Sequence, residues 1–175
     1  MAIKSFQEQL VALFNAKNSS LAQALTVADV DISAASALDG GTGGRNTKAT
    51  LTAKAESEHF TSAIEVHYIR LSPAVVGPKA VTADLADWDT DAEVLAILNA
   101  DVIAAGKTED AFTLEELTIE RSGTGTDEDP MVINVTVKAG HLKYLEGQVA
   151  TYTVTEEITK TDLSSTDGEL DGFTA

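Results

Sequence analysis

The chain reads as one fold unit written twice, 84 residues apart, and that spacing constrains its architecture more than any other feature. A fixed internal period decides the build of a protein before any local detail does. Thr52-Ala53-Lys54-Ala55 returns as Thr136-Val137-Lys138-Ala139, and Asn15-Ala16 returns as Asn99-Ala100. Gly41-Thr42 returns as Gly125-Thr126, and Tyr68 returns as Tyr152. Few residues are identical between the copies. The match rests on order, capping and alternation.

Each copy predicts one helix followed by three strands. Ile3, Phe6, Leu10, Leu13 and Phe14 recur at helical spacing and predict a helix over 6–17, with Lys4, Glu8 and Lys17 on its polar face. Val94, Leu95, Leu98 and Val102 form the apolar stripe of a second helix over 91–104. Ser5 with Glu8, and Thr90 with Glu93, have the spacing of capping boxes. Ala49, Leu51, Ala53 and Ala55 alternate with polar residues, as do Ile133, Val135, Val137 and Ala139. Period-2 alternation marks a strand with one buried face. Third strands are expected over 63–71 and 148–158, with Tyr68 and Tyr152 at equivalent places. The first strands, 30–38 and 114–121, disagree in phase at the fixed offset, so an insertion or a bulge is expected there.

The expected fold class is therefore α+β, with two tandem αβββ repeats packed together. The first spans 1–72 and the second 89–158. A linker, 73–88, holds Pro73, Gly77 and Pro78, and an acidic C-terminal arm covers 159–175. That arm has only Leu163, Leu170 and Phe173 as apolar anchors and is expected to be disordered on its own. Aromatic residues make up 5% of the chain, and many strand positions are Ala or Thr. Such cores bury little apolar area per residue, so part of the stability is expected to come from neighbours in an assembly.

Charge is uneven along the chain. The total is −16, yet residues 1–84 hold 7 basic and 8 acidic side chains while residues 85–175 hold 5 and 20. This argues against a nucleic-acid partner, which needs a basic surface. It predicts an oriented molecule, with the near-neutral copy against a partner and the acidic copy in solvent. There is no cysteine, so disulfides and thiolate chemistry are excluded. The opening MAIKSFQEQL lacks the apolar run of a signal peptide, and no stretch has the length of a membrane span. Synthesis in a cytoplasm and no membrane partner are expected.

No motif assigns a catalytic, cofactor-binding or metal-ligating residue. Asp84, Asp87, Asp89, Asp91 and Glu93 cluster before the second helix, and Asp87 to Asp91 imitate the opening of a calcium loop. The imitation fails at Ala92, where that loop needs glycine, and at Leu98, where it needs glutamate. Helix capping accounts for these acids. Asp127-Glu128-Asp129-Pro130 reads as a solvated hairpin loop. The run from Gly40 to Arg45 lacks the Gly-Lys-Ser/Thr of a phosphate loop and precedes a strand, so it reads as a turn. His59, His67 and His141 have no partner histidine four residues on and no Ser or Cys motif beside them. Trp88, the only tryptophan, is expected to anchor the linker to the core.

The amphipathic opening 1–17, the Ala/Thr/Val strands at 47–55 and 131–139, and the Gly/Thr/Asp loops at 39–46 and 122–130 resemble accessory virion structural proteins of large tailed bacteriophages. The resemblance is one of style. It implies a non-enzymatic subunit, capsid-decorating or capsid-associated, held as a homo-oligomer or on a lattice of other virion subunits. A tail-tube or neck component is the nearest alternative. It implies residence in the virion after synthesis in the host cytoplasm, and it carries over no functional residue. A ligand or host-surface binding module using Trp88 and loop 122–130 is a further alternative.

Overall fold

Two sheets, each backed by one helix, meet across residues 70–73 and 138–145. The computed structural model describes residues 2–157 and 162–166. Most of the expected arm, 159–175, thus lies outside the described residues.

In the first half, α1 (Phe6–Lys17) begins at a capping box. The Glu8 N–H donates to Ser5 Oγ at 3.2 Å, and the Ser5 N–H donates to Glu8 Oε2 at 2.7 Å. Each bond satisfies a backbone donor that the first turn leaves free. Leu10 and Val11 are buried, and they share a small core with Leu25, Val30 and Leu51. β3 (Thr47–Ala53) is central in the sheet. β4 (Ala63–Tyr68) pairs with one of its edges, and β1 (Val30–Ile32) and β2 (Ser36–Ala37) share the other. The single strand expected over 30–38 is interrupted at Ser33–Ala35. There Ser33 Oγ accepts the Thr50 N–H at 2.9 Å, and the Ala35 N–H turns to Gly140 O at 2.9 Å. The break spends a ladder bond on a contact with the second half.

In the second half, strand order is β5-β8-β7-β6. These are β5 (Gly77–Ala83), β6 (Leu117–Ser122), β7 (Met131–Val137) and β8 (Gly147–Glu156). β5 runs parallel to β8, and the other pairs are antiparallel. α2 (Asp91–Ala104) buries Val94, Leu98 and Val102 against Ile133, Val135, Val149, Tyr152 and Val154. Asp101 ties the helix to the sheet, accepting from Tyr152 Oη at 3.0 Å and from Lys79 Nζ at 2.6 Å.

The segment expected as a linker, 73–88, is therefore structural. It supplies β5 and a short 3-10 turn over Leu85–Trp88. Pro78 and Gly77 read as breakers, but β5 is an edge strand, where a missing N–H is tolerated. Val81 and Ala83 pack on the core. Trp88 is buried, with its ring 5.0 Å from that of Tyr152.

In each half a helix precedes antiparallel strands, four after α1 and three after α2, and the 84-residue spacing recurs at particular places in the two sheets. β3 and β7 lie 84 residues apart from end to end. Asn15 clamps a loop by donating to Leu25 O at 2.8 Å and accepting from Leu25 N at 2.9 Å. Asn99 does the same to Phe112, at 3.0 and 2.8 Å. The clamps close over 10 and 13 residues, so three more residues follow the helix in the second half. This accounts for the phase disagreement of the first strands: Val30 faces Ala53, whereas Leu117 faces Val137. The expected equivalence of Tyr68 and Tyr152 does not hold. Thr47 faces Tyr68, but Met131 faces Val154, and Tyr152 sits two residues earlier on the same face.

Each clamp satisfies a backbone N–H and C=O that would otherwise be half-buried without partners. Asn99→Ala should cost about 2 kcal/mol, because both Phe112 backbone groups lose their partner. Urea unfolding monitored by Trp88 fluorescence measures this directly, and a change below about 0.5 kcal/mol would show that water replaces the clamp.

Candidate functional site

α1 belongs to both halves. Its first residue, Phe6, leaves the small core and packs among Phe112, His141 and Tyr144 of the large one, at ring distances of 5.4, 4.4 and 6.0 Å. Beside Phe6, the buried Asp110 carboxylate accepts from Lys143 Nζ, from Tyr144 Oη and from Gln9 Nε2, the last at 3.0 Å. Lys143 also donates to Gln9 Oε1 at 2.8 Å. Burial alone would raise the Asp110 pKa, but the bonds from Lys143, Tyr144 and Gln9 outweigh it and hold the carboxyl below its ordinary value. Lys4 adds a backbone bond to Glu109 O at 2.9 Å and an ion pair to its side chain at 2.7 Å.

Arg70 and His141 complete the junction. Arg70 is buried, with Nε donating to Thr47 Oγ1 at 2.8 Å and Nη1 to His141 O at 3.2 Å. His141 Nδ1 accepts the N–H groups of Lys143 and Tyr144 at 3.1 and 3.0 Å. Nδ1 as acceptor places the ring proton on Nε2, which is buried with no hydrogen-bond partner among the described residues. Burial, reinforced by the charge of Arg70, lowers the His141 pKa to about 4.

With α1 fixed in this way, it covers only part of its sheet. Leu13 is 61% exposed and Ile64 52%, although both point to the side where helix and sheet meet. Ile69 and Leu71, just past the end of β4, are 52% and 41% exposed. Together they border an open groove between α1 and the β4 edge. One cavity of about 410 Å³ is lined by Leu10, Leu13, Tyr68, Ile69, Leu71 and Leu142, and a second of about 210 Å³ by Leu13, Phe14, Ile64 and Val66. The Tyr68 hydroxyl is buried without a partner among the described residues, and burial pushes its pKa up to about 12. Lys4 and Lys143 line the larger cavity and Lys17 the smaller. The outer edge of β4 has no strand beside it among the described residues.

The sequence-expected residues fall elsewhere. In the acidic cluster, Asp84 accepts from the Ala86 N–H at 2.9 Å, Asp91 pairs with Arg121 at 2.6 Å, and Glu93 completes the Thr90 capping box. Asp127 to Asp129 lie in a hairpin loop, where the Thr124 and Gly125 N–H groups donate to Asp129 O. In the glycine run, Thr42–Gly44 forms a 3-10 turn that Arg45 closes with a bond to Thr42 O at 2.8 Å. Gly41 is required there, since a Cβ would come within 2.1 Å of Arg45 O. His67 is exposed on the outer sheet face, 2.8 Å from Glu65, and His59 is exposed in a loop. Among the described residues, no three His, Asp or Glu side chains converge as metal ligands, and no helix is long and apolar enough to cross a membrane.

The groove was missed because Ile3 and Leu13 read as core, whereas both are exposed. A signal was present. At 100° per residue, Phe6, Leu10, Val11, Leu13 and Phe14 span an arc of about 160°, wider than the roughly 100° stripe a helix needs to face one core.

A model for a family of unknown function, DUF7941, matches residues 1–167. The chain belongs to that family. No curated protein and no solved structure matches it. The DUF7941 match runs through both sheets and the junction, so the groove lies wholly inside it.

His141 makes stability depend on pH. In the unfolded chain its imidazole takes up a proton near pH 6.5; in the folded chain it does so only near 4. The unfolded state thus binds more protons between these values. Stability is full above 6.5 and falls as pH drops towards 4, by about 2 kcal/mol between 6.5 and 5. His141→Asn, which keeps an acceptor for the Lys143 and Tyr144 N–H groups, should be less stable at pH 7 but show a flatter profile from 6.5 to 5. Denaturant melts across that range check this, and parallel profiles for both proteins would remove His141 as the cause.

Proposed function

We propose that this chain is a non-enzymatic structural subunit of a larger protein assembly, and specifically an accessory, capsid-associated component of a tailed-phage virion. It docks through the near-neutral first half and turns the acidic second half to solvent. The observation that carries this reading is the groove beside α1. Leu13, Ile64, Ile69 and Leu71 expose a contiguous apolar surface, next to an unpaired strand edge, in the half with almost no net charge. Such surfaces on soluble proteins are sites of association. The acidic remainder disfavours nucleic acid as the partner and favours other protein subunits.

The two halves, on this reading, are copies of one αβββ unit that diverged in their roles. The paired Asn clamps and the β3/β7 spacing support it. The second copy gained β5 and the larger core. The first kept a smaller core and an open face. Trp88, which a sugar-binding site would need exposed, is 4% exposed and packed on Tyr152.

Quantitative mass spectrometry of purified particles from the phage that encodes the chain tests the proposal. The protein should be present at a fixed ratio to the major shell protein and should survive repeated gradient purification. Abundance in the lysate with absence from the particles would overturn it.

A further inference from the structure

The groove has a candidate occupant within the sequence itself. We propose that residues 158–175 of one copy dock into the α1–β4 groove of a second copy, joining molecules head to tail. This rests on the assembly reading above and names the partner of that same surface.

The first argument is where the chain leaves the described fold. β8 starts at the junction, where Gly147 lies against Pro73, and its ten residues run away from it for about 33 Å. The Glu157 N–H is bound to Ala83 O and the Glu156 N–H to Gly125 O, at the pole of the second sheet remote from the groove. The groove opens on the other side of the junction, at Leu71, and continues to Ile64. The 18 residues after Glu157 span at most about 60 Å when extended. β8 thus delivers Glu157 to the pole away from its own groove, which is where a following copy would present its own.

The second argument is charge. Residues 158–175 carry Asp162, Asp167, Glu169 and Asp171 against a single cation, Lys160. The groove is rimmed by Lys4, Lys17 and Lys143; Glu109 pairs with Lys4 and the buried Asp110 with Lys143, so Lys17 leaves the rim with one net positive charge. Stacking two second halves would bring together surfaces rich in carboxylates; stacking tail on first half does not. The third argument is chemical fit. Leu170 and Phe173 are the segment's large apolar residues near its end, and the groove offers exposed leucine and isoleucine side chains. A contact of this kind joins two different surfaces, so it propagates until a lattice or ring closes it.

Complementation in full-length protein tests the inference. Leu13→Glu spoils the groove at a position already 61% exposed, so the core is untouched. The pair Leu170→Ser with Phe173→Ser spoils the tail and leaves the groove intact. By sedimentation across a concentration series, the wild-type chain should self-associate. Each variant alone should be monomeric, with its association weakened at least about 30-fold. A mixture of the two should give a 1:1 dimer that grows no further, because one good tail meets one good groove. That rescue also shows that both variants are folded. The inference is overturned if either variant associates as the wild type does, if the mixture stays monomeric while the wild type associates, or if the wild type is monomeric up to about 1 mM. None of these outcomes bears on the presence of the protein in particles, so the assembly reading stands or falls separately.

Discussion

The buried carboxylate of Asp110 is the constraint on which the arrangement of the two halves depends. It collects Lys143 and Tyr144 from one loop and Gln9 from α1, so its third donor is in place only when the helix lies across the junction. A buried carboxylate that lost those partners would be costly to keep. Phe6 supplies the apolar counterpart, since its ring can be buried only among Phe112, His141 and Tyr144. These two residues explain why the first half holds together with so small a core of its own. Leu142, packed against both cores, makes the hydrophobic connection continuous.

The same constraint creates the exposed surface. A helix free to centre itself over its sheet would cover Leu13 and Ile64. Here its N-terminus is anchored in the other half, and its far end passes over only part of the sheet. Charge then gives that surface a direction. The carboxylates that keep the second half solvated are sparse around the groove, where Glu109 and Asp110 pair with Lys4 and Lys143 and Lys17 adds a further positive charge.

Much of this was legible in the sequence, and the reasons are local. Both helices occupy their expected spans because capping boxes mark their starts and apolar spacing marks their faces. β3 and β7 follow from strict alternation. β5 was hidden because a strand that pairs in parallel with a distant partner carries no hairpin turn and no two-sided alternation, and Pro78 reads as a breaker unless the strand is known to be an edge. The match of Tyr68 with Tyr152 was a coincidence of spacing that only strand register can expose. The groove was the hardest feature to read. Leu13 has the character of a core residue, and its exposure is set by Asp110 and Phe6, which fix the helix from a distance in sequence that no local pattern carries.

β5 also imposes an order of events on the nascent chain. Its partner, β8, begins 70 residues later, and residue 83 meets residue 156. No hairpin can nucleate this pairing, so its loop-closure entropy must be met before any ladder bond forms. While the ribosome is still extending the second half, Gly77–Ala83 has nothing to pair with, whereas β3 and β4 already adjoin in sequence and can close locally. The β3–β4 pair can thus form early, whereas the seam between β5 and β8 must wait for β8. Until that seam closes, the edge of β8 that will receive β5 stays open beside the permanent edge of β4, and high local concentrations of newly made copies are the conditions under which such edges can find each other.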